Sequence, residues 1–473
     1  MDIKEFKERA SEVLDWIEKY YSEIESYPVQ SQVKPREIFN KLPKEAPQQS
    51  EDFKDIFKDF NEIIIHGMTH WQSPKFMGYF PSNTSYPSIL GEMLTSVLGA
   101  QCMSWVTSPA AAELEELVMK WLTKMFGIPE QFYGVIQDTA SSATLCSVIT
   151  AREKFSNYQV NLRYSIQELS YRAYCSEQSH LSVEKAIKIA GIGSVNLRKI
   201  PVNERFEMDT AMLERRIRND LQNNHKPMIV VATIGTTGTT SVDPLKEIAA
   251  ICKKYNIWLH VDAALAGSAM LLPEMRKHFD GIENADSIVI NPHKWLFTNF
   301  DCSAYFVKDK EALIKTFSMD AEYLKTNYDE EVNNYRDWGI QLGRRFRALK
   351  LWFVIRSFGV EGLAKKIKEH IRIANVIKEN IEADEKFELM APVPFNCVCF
   401  RYNPGNIEEY DEINLLNKRL LDSINASGKL FLTHTVLNNK FVIRMVMGQT
   451  NLEERHALEC WSTIKELAAK LTI

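Results

Sequence analysis

The sequence has no long apolar run and no excess of positive charge. None of its 473 residues lies in an uninterrupted apolar stretch of about 18 residues, the length that a membrane-spanning helix requires. The formal net charge is -5, which gives no general electrostatic reason to bind nucleic acid or an anionic membrane. Because the N-terminal residues contain no apolar signal-peptide core, we expect no secretion, and neither a membrane nor nucleic acid as a partner.

Cysteine is sparse and scattered. The chain has eight cysteines, and only Cys397 and Cys399 lie close together. They would share one face of a strand, but a metal site there would need further ligands. We therefore predict no metal site, reduced thiols and a cytoplasmic protein.

The chain divides into three segments with different patterning. Residues 1–85 are predicted to form amphipathic helices between proline-bearing stretches. This segment is too extended to bury its own apolar face, so we expect it to pack on a partner subunit. Residues 86–360 alternate helices with short apolar strands and are predicted to form a large α/β domain. Residues 361–473 are predicted to form a small C-terminal α+β domain, which begins with a helix at 362–383.

Three apolar runs in the second segment end in a polar residue. They cover residues 228–233, 257–262 and 287–291. Buried parallel strands have this pattern, and a helix predicted at 245–255 would connect the first two. Proteins with such sheets bind ligands at the carboxyl ends of the strands, so the residues that end these runs are the first candidates for a site.

Lys294 follows the third run directly, in Asn291-Pro-His-Lys-Trp. Lysine is rarely buried without a purpose, and a lysine that reacts with a carbonyl group needs partial desolvation to lower its pKa. From spacing alone, a surface lysine at the end of a strand remains an alternative.

Asp262 ends the second run, in His260-Val-Asp-Ala-Ala. A carboxylate beside a pyridine nitrogen keeps that nitrogen protonated, which makes a pyridoxal ring an electron sink. Asp262 and Lys294 end successive strands, so they could face one ligand from different sides. Asp262 alone could instead cap the next helix.

A third pattern is Gln137-Asp-Thr-Ala-Ser-Ser-Ala-Thr. Its small and hydroxylated residues precede a helix predicted at 143–155. Backbone amides at a helix N-terminus, together with hydroxyl groups, can hold a phosphate, although an ordinary N-cap would also explain the pattern.

These patterns belong to a wider resemblance. The sequence resembles the aromatic L-amino acid decarboxylases, a branch of the group II PLP-dependent decarboxylases, over nearly the whole chain. The matching stretches are Thr69-His-Trp-Gln-Ser-Pro, Tyr79-Phe-Pro, Asn83-Thr-Ser-Tyr-Pro-Ser-Ile-Leu, Ser108-Pro-Ala, Trp258-Leu-His-Val-Asp-Ala-Ala, Asn291-Pro-His-Lys-Trp and Leu342-Gly-Arg-Arg-Phe-Arg. The resemblance implies the PLP-dependent fold-type I (aspartate aminotransferase-like) class, with a mainly parallel central sheet and helices on both of its faces. It also implies pyridoxal 5′-phosphate (PLP) as cofactor and a homodimer with the active site at the subunit interface, clamped by residues 1–85.

The resemblance also implies roles for single residues. Lys294 would bind PLP covalently, Asp262 would pair with the pyridine nitrogen, and His180 would stack on one face of the ring. Tyr323, at the start of a polar segment predicted to act as a lid (325–334), is linked in the family to the final protonation and completes the catalytic set. Further cofactor contacts would come from Thr139, Ala140, Ser141, Thr237, Ala264, Asn291 and His293. The substrate pocket would contain Trp71, Tyr79, Phe80, Pro81, Gln101, Met103 and Gly343.

The implied function is the PLP-dependent decarboxylation of aromatic L-amino acids (tryptophan and/or tyrosine, phenylalanine, DOPA) to arylalkylamines and CO2. The alternative is a PLP-dependent aromatic acetaldehyde synthase, but relatives of that kind typically replace Tyr323 by phenylalanine or His180 by asparagine. Gly343 leaves more room than the serine of relatives that prefer histidine or tyrosine, which favours tryptophan or a mixed aromatic set. An aminotransferase would need an arginine for the substrate carboxylate, for which Arg444 is a candidate.

Three residues depart from the family pattern. Asp138 stands next to the phosphate loop, where relatives usually have glycine. A carboxylate beside a phosphate is repulsive unless it turns away or caps the helix. Gln101 and Met103 stand where relatives often carry an aliphatic and an aromatic residue, so the substrate ring would be engaged differently.

Overall fold

The computed structural model describes residues 1–163, 170–319, 328, 331–405 and 409–471. Their contacts divide the chain into two compact units. The first contains Met1–Pro81, Glu379–Met390 and Phe400–Ile473, and the second contains Ser82–Lys378 and Ala391–Cys399. Most of the predicted N-terminal segment and most of the predicted C-terminal segment thus belong to the same unit. The division into three domains, with boundaries after residues 85 and 360, stays a prediction.

The secondary structure alternates helices and strands through the middle of the chain. The helices are α1 (Ile3–Ser22), α2 (Glu37–Lys41), α3 (Phe53–Asp59), α4 (Tyr86–Leu98), α5 (Pro109–Phe126), α6 (Ala140–Phe155), α7 (Gln159–Arg163), α8 (Leu181–Ile189), α9 (Thr210–Gln222), α10 (Leu245–Tyr255), α11 (Pro292–Trp295), α12 (Lys310–Phe317), α13 (Arg347–Glu382), α14 (Tyr410–Ala426) and α15 (Glu454–Lys470). The strands are β1 (Tyr133–Gln137), β2 (Tyr171–Ser176), β3 (Leu197–Ile200), β4 (Lys226–Thr233), β5 (Trp258–Asp262), β6 (Ser287–Ile290), β7 (Ser303–Val307), β8 (Phe387–Leu389), β9 (Cys397–Tyr402), β10 (Thr433–Leu437) and β11 (Lys440–Val446).

The second unit is built around a seven-stranded sheet in the order β1-β7-β6-β5-β4-β2-β3. The pairs from β3 to β6 are parallel, and β7 is antiparallel to both β6 and β1. Because β1 and β6 are each antiparallel to β7, six of the seven strands run in the same direction. The predicted α/β fold with a mainly parallel sheet is confirmed.

Helices cover both faces of this sheet. Ile229 and Val231 alternate along β4 and pack in a buried core that also contains Cys146 of α6. On the opposite face, the Tyr174 hydroxyl of β2 donates a hydrogen bond of 2.9 Å to Asp220 of α9. Side chains of a strand alternate between faces, so a strand buried on both sides needs the near-continuous apolar runs that the sequence contains.

The first unit contains most of a four-stranded sheet in the order β10-β11-β9-β8. Residues from the N-terminal segment are hydrogen-bonded into it: the Met77 N–H donates to the Phe431 carbonyl (3.0 Å), and the Val446 N–H donates to the Met77 carbonyl (2.8 Å). In contrast, α1 buries none of its residues. Among the described residues, none of the helices is both long and apolar enough to cross a membrane.

The long helix α13 contains one predicted helix and extends it towards the N-terminus. A helix was predicted only from residue 362, whereas the structure begins it at Arg347 and interrupts it at Gly359, where φ is 65° and ψ is 167°. Glycine takes this left-handed conformation without the steric cost of a Cβ atom. The prediction therefore found the second half of the helix and missed the first.

Candidate active site

The predicted site residues follow strands whose carboxyl ends meet at one edge of the seven-stranded sheet. Asp138 and Thr139 follow β1, Asp262 ends β5, and Asn291 and Lys294 follow β6. The shared direction of β1, β5 and β6 is what brings these three segments together, because β7 reverses between β6 and β1. This edge is where α/β sheets bind their ligands.

Lys294 lies in the single turn of α11, and its backbone N–H donates to the Asn291 carbonyl at 2.9 Å. Burial lowers the pKa of its amine below the usual value, and the negative charge of Asp262 acts in the opposite direction. The two groups therefore interact electrostatically. A lowered pKa increases the fraction of uncharged amine, which is the nucleophilic form.

Asn83 holds the lysine turn in place. Its side-chain amide donates to the Lys294 carbonyl at 2.5 Å, and its backbone N–H donates to the His293 carbonyl at 3.0 Å. Asn83 is almost completely buried. One residue thus satisfies two successive carbonyl groups beside the reactive amine, a role that the sequence analysis did not assign to it.

His293 and Asn291 also support the turn. The His293 ring is buried, its Nδ1 accepts a hydrogen bond from the Cys302 backbone N–H at 2.9 Å, and it packs against Phe300. Burial, followed by the positive charge of Lys294, lowers the pKa of His293 to about 3, so the ring is neutral at physiological pH. The Asn291 side-chain oxygen accepts a hydrogen bond from the Ser303 hydroxyl at 2.6 Å.

Asp262 and His180 complete the polar part of this edge. An Asp262 carboxylate oxygen accepts a hydrogen bond from the Ala264 N–H at 3.1 Å, which fixes the side chain at the end of β5. His180 is the N-cap of α8, where its Nδ1 accepts from the Ser182 N–H at 3.2 Å. His180 keeps some solvent exposure, but partial desolvation lowers its pKa; Asp262 raises that pKa and Lys294 lowers it.

The predicted phosphate loop lies at the start of α6. Thr139 is the N-cap residue, and its side chain makes no capping hydrogen bond. Helix geometry leaves the N–H groups of the first turn, including Ala140 and Ser141, without partners inside the helix. This donor set suits a phosphate, and the carboxylate and amine of the neighbouring strand ends suit a pyridoxal ring, so the residues present fit PLP.

Thr237 lies in the turn after β4. Its side chain is exposed, whereas the neighbouring Thr236 is buried and its hydroxyl lies 3.1 Å from that of Thr239. Gly235 opens this turn with a φ of 85°, and a Cβ atom there would lie 2.8 Å from the Cβ of Ala266. The turn is thus closely fitted to the segment that follows β5, with Thr237 at its surface.

Two of the substrate residues predicted in the second unit, Gln101 and Gly343, lie against each other. The Gln101 side-chain oxygen accepts a hydrogen bond from the Arg344 N–H at 2.6 Å. A Cβ atom on Gly343 would lie 3.0 Å from the Gln101 side-chain nitrogen, so any larger residue at 343 must displace this amide. The Met103 carbonyl accepts from the Arg336 N–H at 2.8 Å.

A buried ion pair fixes the residue after Gly343. The Arg344 guanidinium donates to Glu115 at 2.6 Å and to the Ile136 carbonyl at 2.7 Å. Both charged side chains are almost fully buried. Arg344 lies in one of the stretches that carried the resemblance, but its partner on α5 gave no signal in the sequence.

The other predicted substrate residues lie in the first unit. The Trp71 ring stacks on Tyr79, with ring centroids 5.9 Å apart, and both are near Phe431, a residue that the sequence analysis missed. Phe80 lies under the Arg444 guanidinium at 5.7 Å. Pro81, at the end of this stretch, is buried. Arg444, the arginine considered for an aminotransferase, also donates to the Thr433 hydroxyl at 2.8 Å.

Tyr323 lies outside the described residues, as does half of the predicted lid at 325–334. The residues at the end of that segment are anchored: the Asn334 side chain accepts from the Trp105 N–H at 3.0 Å, and Asn333 donates to Glu116 at 2.8 Å. Within the described ranges, no group of three or more His, Cys, Asp or Glu side chains could hold a metal ion.

The arrangement of this edge agrees with the comparison to known families. A family model described as the pyridoxal-dependent decarboxylase conserved domain matches residues 35–403, more than half of the chain. This chain belongs to the pyridoxal-dependent decarboxylase family. Membership makes it a PLP-dependent carboxy-lyase, and the family and cofactor predicted from the sequence are both confirmed.

The alignments with relatives in the family cover nearly the whole length of both chains. Tyrosine decarboxylase 4 of Petroselinum crispum is 42% identical over 484 residues, which cover 100% of this chain and 94% of the relative. Phenylacetaldehyde synthase of Arabidopsis thaliana is 42% identical over 481 residues, which cover 100% and 97%. The crystal structure of Catharanthus roseus tryptophan decarboxylase in complex with L-tryptophan matches with a TM-score of 0.94 at 37% identity, covering 100% of this chain and 99% of that one.

Proposed function

We propose that this pyridoxal-dependent decarboxylase removes the α-carboxylate from aromatic L-amino acids and releases the arylalkylamine and CO2. The observation that carries the proposal is the convergence of Lys294, Asp262 and the start of α6 at one edge of the sheet. The relatives named for tyrosine and tryptophan decarboxylation support the aromatic class of substrate.

Each group at this edge has a separate task. The chemistry that PLP supplies when bound is an electron sink for the electron pair released as CO2 leaves. The Lys294 amine, whose pKa is lowered by burial, attaches the cofactor and later releases the product amine. The Asp262 carboxylate keeps a proton on the pyridine nitrogen, and the amides of the first turn of α6 hold the phosphate.

His180 and Tyr323 are the proposed guides of the reaction outcome. The His180 ring is fixed by its bonds to Ser182, so it can present one flat face to a ring stacked on it. Tyr323 is proposed to deliver the final proton to the α-carbon, which would commit the reaction to the amine. The remaining predicted contacts, Thr237, Ala264, Asn291 and His293, belong to the same proposed cofactor site.

The alternative product is an aldehyde, because phenylacetaldehyde synthase is among the relatives. In that reaction, the amino acid, O2 and water yield the aldehyde, CO2, ammonia and hydrogen peroxide. We expect the decarboxylase outcome, since the chain carries both His180 and Tyr323.

One incubation experiment separates the two outcomes. PLP-loaded protein is given tryptophan, tyrosine, phenylalanine, DOPA or histidine, and CO2, amine, aldehyde, ammonia and peroxide are quantified. We expect amine and CO2 in equal amounts, without peroxide. We also expect either the highest kcat/KM for tryptophan or similar kcat/KM values for several aromatic amino acids. Aldehyde with peroxide would assign the synthase activity, and the absence of CO2 from all five would overturn the aromatic decarboxylase.

Gly343 and Gln101 are the proposed basis of the ring preference. The Gln101 amide is held against the 343–344 backbone, so a side chain at 343 would require this amide to shift. An apolar pocket separates similar rings by only about 1–3 kcal/mol, so a mixed set of substrates is expected. Met103 is the other proposed substrate residue of the second unit, and Trp71, Tyr79, Phe80 and Pro81 are those proposed in the first unit.

The active assembly is proposed to be a homodimer. Helix α4 exposes an apolar group of side chains to solvent in the single chain. The group consists of Leu90, Met93, Leu94, Val97 and Leu98. An exposed apolar patch of this kind marks a protein–protein contact, and a second copy of the chain is the proposed occupant. A cytoplasmic location stays a prediction.

Light scattering after size-exclusion chromatography tests the dimer. We expect a mass of about twice the 54.5 kDa of the chain, and a shift towards the monomer for Leu94→Glu, because a charge on an apolar interface is costly. Leu221→Glu on α9 is the matched control, since its side chain has a similar exposure. A monomeric wild-type protein that is fully active would contradict the proposal.

A further inference from the structure

Asp138 occupies the junction between β1 and α6, at the proposed phosphate site. One oxygen of its carboxylate accepts a hydrogen bond from the Thr139 backbone N–H at 2.5 Å. The other oxygen accepts from the Gln341 side-chain amide at 3.3 Å. The carboxylate is thus folded back onto the start of the helix.

The Gln341 contact is supported by the backbone next to it. The Gln137 side-chain amide donates to the Trp338 carbonyl at 3.0 Å. A Cβ atom on Gly339 would lie 2.7 Å from that same amide nitrogen, so glycine allows the close approach. Residues 338–341 therefore run alongside Gln137 and Asp138, and this contact keeps the carboxylate near the helix.

Two properties of a helix N-terminus make it attract a phosphate: free N–H donors and a partial positive charge. The Asp138 carboxylate acts on both. It already accepts the Thr139 N–H, and its negative charge offsets the positive end of α6 and repels a second anion. Asp138 therefore competes with a phosphate for the N–H donors and the partial positive charge at the start of α6.

We propose that Asp138 is an internal competitor of the cofactor phosphate, which weakens PLP binding and speeds PLP release in this chain. The inference rests on the proposed PLP site and adds to it a residue that sets cofactor affinity. The inference concerns how much of the enzyme carries PLP, and it does not concern which bond of the substrate is broken.

The Asp138→Asn variant of the full-length protein tests this inference. Asparagine keeps a side-chain oxygen for the Thr139 N–H and removes the charge. Apoprotein is titrated with PLP, and the release of PLP from the loaded enzyme is timed by dilution into a PLP scavenger. We expect the PLP dissociation constant to fall by about 2- to 5-fold, the usual effect of a charge at a helix end, and by up to about 30-fold if the site is partly buried, mainly through slower release.

Two controls isolate the effect of the phosphate. Pyridoxal, which lacks the phosphate, should bind equally well to wild-type and Asp138→Asn apoprotein. Asp209→Asn removes a charge from the N-cap of α9, where Asp209 accepts from the Met212 N–H at 2.9 Å, and should leave PLP affinity unchanged. If Asp138→Asn does not fold, Asp138→Gly also removes the charge and should tighten PLP binding as well.

The outcomes separate this inference from the proposed function. Unchanged or weaker PLP binding by a folded Asp138→Asn variant would overturn the role of Asp138 alone, as would an equal gain for pyridoxal. No uptake of PLP by wild-type apoprotein would overturn the PLP site and this inference together.

Discussion

The Lys294→Ala variant should lose decarboxylation, with kcat reduced by about a thousandfold or more. The reason is chemical: alanine has no amine to attach the cofactor or to release the product. The fold should survive, because the Asn83 bonds go to the carbonyl groups of His293 and Lys294 and do not involve the lysine amine. The variant should therefore bind PLP without a covalent bond.

Reduction with borohydride followed by peptide mass spectrometry measures the attachment directly. Wild-type protein should carry one pyridoxyl group per chain on the peptide containing Lys294, and the alanine variant should carry none there. Lys308→Ala is the matched control, because burial also lowers the pKa of Lys308 but its amine donates to the Glu283 carbonyl at the opposite edge of the sheet. Pyridoxyl on another lysine, with activity preserved in Lys294→Ala, would contradict the assignment.

The second large effect is expected at Asp262. Asp262→Asn should lower kcat by about a hundredfold or more with little change in KM, because a neutral amide cannot hold the proton on the pyridine nitrogen. Asparagine still offers an oxygen to the Ala264 N–H. The end of β5 should therefore keep its shape, and stability should change little.

Borohydride reduction followed by peptide mass spectrometry distinguishes this role from a structural one. The pyridoxyl group should still be fixed on Lys294 in Asp262→Asn, while turnover is lost. Asp286→Asn is the matched control: Asp286 is a carboxylate of the same sheet that accepts from the Leu259 N–H at 2.8 Å, at the amino end of β6. A kcat within about threefold of wild type in Asp262→Asn would remove Asp262 from the proposed mechanism.

The sequence predicted the central strands well because their burial dictates their composition. The runs at 228–233, 257–262 and 287–291 correspond to β4, β5 and β6, and the helix predicted at 245–255 is α10. A strand buried on both faces must be apolar throughout, so its polar end is visible in the sequence. This is why Asp262 and Lys294 could be selected before the structure was known.

The direction of β1 could not be predicted in the same way. It depends on β7, which pairs antiparallel with both β1 and β6. Local composition does not encode which strand lies beside which, so the meeting of the phosphate loop with the lysine turn followed only from the family resemblance. The Asn83 bonds could not be predicted from local composition either, because a hydrogen bond between residues 211 positions apart leaves no periodic pattern in the sequence.

Pairing between distant segments also explains why the first unit combines the N-terminal and C-terminal parts of the chain. The N–H of Val29 donates to the Gly428 carbonyl, and Phe76 packs against Phe431. The apolar face of the early segment was visible in the sequence, but the surface that covers it was not. Part of that face is covered by the C-terminal region of the same chain, while no residue of α1 is fully buried.

The bond between Asn83 and Lys294 closes a loop of 211 residues. Ribosomes add about 5–20 residues per second, so Asn83 leaves the ribosome about 10 to 40 s before its partner exists. A contact of such long range also carries a large loop-closure cost, so it is slow to form. Until it forms, the Asn83 amide cannot bind the Lys294 carbonyl. The capacity to capture a cofactor thus arises late in biosynthesis, when two segments made far apart in time finally meet.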